Sequence, residues 1–192
     1  MSRRGLLGTA ALGGVGVAIA GCGDKKGGQG SRPPGASDIE IANYALTLEY
    51  LEADFYARAV ASKLFVGRRL HIFETFAQHE ARHVEALETT VGKLGGRTVQ
   101  RPRAAFSFRN STVVLKIAQR VKNLGAAAYL GQADQVRSKE LMALLLSIHS
   151  VEARHAAALN LELGKSVAPT GAFARGASMD EVIKVLKLFV VA

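Results

Sequence analysis

Two copies of one short pattern carry the chemistry of this chain: Glu80-Ala81-Arg82-His83 and Glu152-Ala153-Arg154-His155. On an α-helix, positions i and i+3 project from one face about one turn apart, so each Glu and His point the same way. Carboxylate oxygens and imidazole nitrogens together suit iron or manganese, and zinc less distinctively. A single Glu-x-x-His is common on solvated faces. Two copies set on apolar stripes of alternate helices imply a shared interior site. Ionised carboxylates in an apolar interior are costly unless a cation or a hydrogen-bonding network compensates. The pattern therefore predicts a positive centre between them, either a metal ion or a polar network without one.

The elements that must position these residues repeat as well. Glu49 lies seven residues before Tyr56, and Lys122 seven before Tyr129; Glu80 follows Glu49 by 31 residues and Glu152 follows Lys122 by 30. One helical hairpin is written twice. Helical periodicity predicts helices over about 38–62, 68–94, 111–134 and 138–163, with Asp38 capping the first. The breaks fall at Val66-Gly67 and Gly95-Gly96. Residues 95–111, with Pro102 and alternating Phe106-Ser107-Phe108, have no helical period and read as a long crossover. Glu52 belongs to the apolar stripe of the first helix, and Glu49 and Tyr56 lie along its edge. Small residues from Gly125 to Ala128 allow close approach of a neighbour. Ser178 caps a short amphipathic helix carrying Met179, Val182, Ile183, Leu186 and Phe189, read as packing on the bundle.

His79-Glu80-Ala81-Arg82-His83 also matches H-E-x-x-H, in which two His bind zinc and Glu acts as a base. However, Val151 precedes the second copy, so the repeated unit is Glu-x-x-His, and His79 falls off its apolar stripe. His71 and His149 read as surface or stripe-edge residues.

The start of the chain combines Arg3-Arg4, a short Gly- and Ala-rich apolar run and Ile19-Ala20-Gly21-Cys22. That order describes an export signal, too short and glycine-rich to span a membrane. Residues 1–22 are assigned to it, and residues 23–37, rich in Gly, Lys, Ser and Pro, to a flexible tether. Residues 38–164 form the bundle and 165–192 a tail. The formal charge is +9. Basic residues are scattered without a nucleic-acid recognition motif, which excludes that class and leaves a solvated surface beside an anionic membrane. With Cys22 the single cysteine, neither an internal disulfide framework nor a multi-cysteine zinc site is possible.

Arg3-Arg4 resembles a twin-arginine signal, and the run ending at Cys22 resembles a lipobox, which implies export, lipidation of Cys22 and membrane anchoring. Residues 38–164 resemble the ferritin-like superfamily, and within it exported bacterial ferritin-like proteins. The likeness rests on Leu48-Glu49-Tyr50-Leu51-Glu52-Ala53-Asp54-Phe55-Tyr56, on Glu80/His83, on Gly125-Ala126-Ala127-Ala128-Tyr129-Leu130-Gly131 and on Glu152/His155. It implies an all-α four-helix bundle whose di-iron centre takes one Glu from each of two helices and Glu-x-x-His from the others. Carried over by position, Glu49, Glu80, His83, Glu152 and His155 are the ligands, with Tyr56 and Tyr129 nearby as hydrogen-bond partners or electron donors. Lys122 stands where the third helix should supply Glu. A protonated Lys has no lone pair for a metal, but its ammonium can pair with carboxylates where a cation would lie. With neutral His, Glu49, Glu80, Glu152 and Lys122 sum to −2, which one divalent ion balances. A single metal, iron or manganese, or none, is therefore expected rather than a pair. Alternatively Lys122 snorkels to water, or Glu52, one turn from Glu49, substitutes as a ligand.

Two functions follow. One is an exported, lipid-anchored protein that oxidises Fe(II) or handles oxygen or peroxide. The other is a metal-free bundle serving as a structural or stress-associated interaction module, with Lys122 replacing the metal's charge. A homo-oligomer is compatible with either, and the sequence names no redox partner.

Overall fold

The computed structural model describes residues 37–190. The expected export signal, Cys22 and nearly all of the tether lie outside these residues. Helices α1 (Asp38–Ala61), α2 (Gly67–Lys93), α3 (Ser111–Gln132), α4 (Lys139–Glu162) and the short α5 (Met179–Leu186) follow in order. Among the described residues there is no strand, only an isolated antiparallel bridge between Ala104 and Val190. No helix among them is long and apolar enough to cross a membrane.

Helices α1 and α2 pack as one hairpin and α3 and α4 as another, and the crossover lets the hairpins face each other. The cap of α1 is Ser37, not Asp38. Ser37 and Glu40 form a reciprocal capping box. The Asp38 carboxylate instead accepts from the backbone amides of Arg137 and Ser138 at 2.8 Å each, tying the start of α1 to the turn before α4. A helix ends at Lys93 because Gly95, at φ +78°, takes a left-handed conformation open to glycine.

Two apolar clusters sandwich the polar middle of the bundle. One gathers Leu51, Phe55, Tyr56, Phe73, Phe76 and Leu159 with Phe106 of the crossover. The other gathers Ile41, Leu46, Val84, Leu87, Leu141 and Ile148. Helix α5 adds Val182 and Leu186 to the first cluster, and the Ala105 amide donates to the Phe189 carbonyl at 2.7 Å. Ile183, assigned to the packing face from the sequence, is instead exposed, because an eight-residue helix offers only a narrow stripe.

Candidate metal centre

Four helices bring their acidic and imidazole groups to one buried point. Glu49 and Glu52 come from α1, Glu80 and His83 from α2, Lys122 from α3, and Glu152 and His155 from α4; all are buried. Glu49 and Tyr56, placed at a stripe edge from the sequence, are fully inside, because α1 faces two neighbours and buries more than one stripe. Glu52 and Glu49 sit one turn apart and look into the two halves of the cluster.

The first half is a donor set. Glu49, Glu80, His83 and Glu152 each offer one ligand atom, all within 4.8 Å of one another. His83 Nδ1 lies 3.2 Å from Glu49 Oε2, 3.2 Å from Glu80 Oε2 and 3.6 Å from Glu152 Oε1. Donors held about 2.1 Å from one ion at tetrahedral or octahedral angles stand about 3.0–3.4 Å apart, so the two 3.2 Å separations suit a single ion, and Glu152 would have to draw closer to join it. Tyr129 donates its hydroxyl to Glu49 Oε1 at 2.5 Å and fixes that carboxylate from α3.

The second half is filled by the protein's own cation. Lys122 Nζ contacts Glu52, lies 2.6 Å from Glu80 Oε1 and 2.8 Å from both oxygens of Glu152, and is fully buried. It does not snorkel. Glu52 reaches it because Gly125 has no side chain: a Cβ there would lie 2.8 Å from Glu52 Oε1 and 3.4 Å from Glu152 Oε2. The small residue in α3 thus makes room for a carboxylate rather than for a helix backbone. Glu52 therefore enters the cluster as a partner of Lys122, and it sits apart from the four converging donors. Its presence adds a fourth carboxyl to the formal count: with every carboxyl ionised and the histidines neutral, as metal binding requires of its donors, four carboxylates and one ammonium would sum to −3.

The duplicated hairpin explains the orphan in the site. Tyr129 pairs with Glu49 across the bundle, and its counterpart Tyr56 faces Lys122, whose nitrogen lies 5.2 Å from the ring centre. Lys offers no acceptor, and the buried Tyr56 hydroxyl has no hydrogen-bond partner among the described residues. The expectation that both tyrosines serve as hydrogen-bond partners holds geometrically only for Tyr129.

His155 also falls in the second half, with Nδ1 3.4 Å from Glu80 Oε1 and 3.5 Å from Glu152 Oε1, outside the converging donor set. Its ring stacks on Phe76 at 3.8 Å, and its Nε2 lies 2.9 Å from His79 Nδ1. Sequence reasoning discarded His79 for being off the stripe. Its position one turn before His83 was the available signal, since the flank of α2 faces α4 there. His79 bonds His155 and does not join His83 around one point, which removes the H-E-x-x-H arrangement.

Electrostatics follow from burial against partners. Desolvation pushes Glu49 up to about 8, with Glu80 and Glu152 adding to the rise. Desolvation opposes the charge of His83, yet its hydrogen bonds to Glu49 and Glu80 prevail and raise it to about 10. Desolvation likewise opposes Lys122, but Glu152, Glu52 and Glu80 hold it well above its ordinary value. Glu80 is desolvated too, and Lys122 with the two histidines brings it well below the carboxylate range. Burial also pushes Glu52 well above the carboxylate range against the pull of Lys122, so the cluster holds protons on Glu49, His83 and Glu52 around a permanent cation. An incoming metal ion has to displace those on Glu49 and His83.

A bundle of two helical hairpins with a Glu-x-x-His in each defines the ferritin-like class. A family model for the ferritin-like domain matches residues 37–165, and the chain belongs to that family. The fold also resembles the crystal structure of a hypothetical protein from Methanococcus jannaschii, with a TM-score of 0.55 and 14% identity over 81% of this chain and 95% of that one. No curated protein matches the chain.

Proposed function

We propose that the chain is an exported, lipid-anchored ferritin-like protein whose centre holds one redox-active metal ion, iron first and manganese second, where the class holds two. The observation that carries this reading is Lys122, which occupies one half of the cluster and leaves Glu49, Glu80, His83 and Glu152 converging in the other. An iron ion held there supplies one-electron chemistry toward oxygen or peroxide, in keeping with oxidation of Fe(II). The protein's residues bind and orient: Tyr129 holds Glu49, Lys122 holds Glu80 and Glu152, and the apolar clusters exclude bulk water. Of the two tyrosines only Tyr129 is bonded to one of these donors, Glu49, and orients its carboxylate; Tyr56 has no acceptor among the described residues. Export and anchoring through Cys22 rest on the order of features in residues 1–22.

A second reading is favoured by the same lysine. Its ammonium meets three carboxylates, while Glu49 is held by His83 and Tyr129, so the network closes without metal and could serve a structural or interaction role. Metal analysis after anaerobic loading with Fe(II) or Mn(II) separates the two. One ion per chain in wild type, lost in His83→Gln and rising toward two in Lys122→Glu, supports the first. No ion in wild type, with uptake only in Lys122→Glu, supports the second, and no ion in either removes the metal reading. For location, Cys22→Ala should move the protein from membranes to the soluble extracytoplasmic fraction; retention in membranes would refute the anchor.

A further inference from the structure

Away from the metal centre, the segment between Lys165 and Ala177 arches over α3 and α4 with both feet fixed. At one foot the Lys165 amide donates to the Asn160 carbonyl at 2.8 Å and its ammonium to Gln119 Oε1 at 3.1 Å. At the other, the Ala177 amide donates to the Ala127 carbonyl at 2.8 Å. Gly131 and Gly176 let the two backbones touch there, since a Cβ on Gly131 would lie 1.9 Å from the Ala177 oxygen. Between the feet the hydrogen bonds stay within the arch, from Gly171 to Ala168 and from Ala168 to Ser166. Its residues are exposed above and do not fill the space below. A cleft of about 500 Å³ results, a size that accommodates a small ligand.

The lining gives the ligand's chemistry. Ala126, Ala153 and Ala156 make a shallow apolar floor across two helices, suited to a flat ring; of the polar side chains in the lining, Asn123 is engaged by Gln119 and Asn160, which leaves His149, Thr170 and Arg175 to meet a ligand. His149 Nδ1 lies 3.0 Å from the Ala126 carbonyl oxygen. A carbonyl only accepts, so Nδ1 carries the hydrogen and Nε2 of the neutral ring remains an acceptor. Arg175 has no hydrogen-bond or ion-pair partner among the described residues, and its charge is felt at Glu181 in the exposed first turn of α5. A guanidinium matches a carboxylate through two parallel hydrogen bonds.

We propose that this cleft binds a small hydroxylated aromatic acid, its ring on the alanine floor, its carboxylate on Arg175 and its hydroxyl donating to His149. The proposal is independent of the metal reading. Three probes test it by calorimetric titration of the full chain: 4-hydroxybenzoate, benzoate, which lacks the hydroxyl, and 4-hydroxybenzamide, which lacks the charge. The first should bind about tenfold tighter than either of the others. Arg175→Gln should abolish its advantage over the amide, and His149→Phe its advantage over benzoate, with metal content unchanged in both. Ala153→Leu, a change at an exposed floor position, should remove binding of all three. Equal affinity for the three probes, indifference to Arg175→Gln and His149→Phe, or no saturable binding up to about 10 mM overturns the proposal.

Discussion

At position 122 one side chain decides what the cluster holds, and its neighbours record the decision. Tyr129 and Tyr56 are equivalent in the duplicated hairpin, yet only Tyr129 has an acceptor. Removing the two hydroxyls should therefore have opposite consequences. Tyr129→Phe removes a hydrogen bond to a buried carboxyl and should cost about 1–3 kcal/mol in chemical denaturation. Tyr56→Phe removes an unsatisfied buried hydroxyl and should be neutral or stabilising by up to about 1 kcal/mol. In a Lys122→Glu background the difference should shrink, because residue 122 then offers Tyr56 an acceptor. Equal losses from both Phe substitutions would contradict the broken symmetry. Lys122→Met should be far more damaging, about 3–5 kcal/mol at neutral pH, because it strands the Glu52, Glu80 and Glu152 carboxyls without their cation.

Between helices, the geometry depends on register, and register was largely legible in the chain. Glu-x-x-His written twice, the Tyr that follows Glu49 and Lys122 at equal spacing, and the glycine breaks placed four helices and assigned Glu80, His83, Glu152 and His155 to their interior. A period of 3.6 predicts which face is buried, while the duplicated spacing, set beside the family resemblance, marks Lys122 as the departure. Periodicity does not tell how wide the buried face becomes when a helix meets two neighbours, which is why it sets Glu49 and Tyr56 at an edge. Nor can it show that Gly125 leaves space for Glu52, or that His79 reaches His155, since both contacts join helices distant in sequence. Gly125→Ala tests the first. Alanine favours the helix by up to about 1 kcal/mol over glycine, but its methyl would crowd Glu52 Oε1. The variant should be destabilised by about 1–3 kcal/mol, as overpacking commonly is. Glu52→Ala in the same chain should recover the part due to crowding, giving a favourable coupling in a double-mutant cycle.

For the molecule as a whole, the proton inventory of the cluster sets how stability responds to pH. His83 binds its proton more tightly folded than unfolded, being raised from 6.5 to about 10. Its contribution is complete below about 6.5 and is lost as pH rises through 10. Glu49, raised from 4.5 to about 8, acts in the same direction, its contribution complete below 4.5 and lost through 8. Glu80, held well below 4.5, acts oppositely and loses its contribution only in acid. The metal-free protein should therefore be most stable near pH 4.5, and its melting temperature should fall from there to about pH 10, first through Glu49 and then through His83. His83→Gln should flatten that fall. Mn(II) binds the same donors without their protons, so its stabilising effect should grow over the range in which the apo protein weakens. Thermal melts with and without Mn(II), at about pH 6 and about pH 8.5, read both slopes at once. An apo melting temperature that rises with pH would contradict the protonated Glu49/His83 pair. A metal increment that is larger at the lower pH would show that the ion binds somewhere other than these donors.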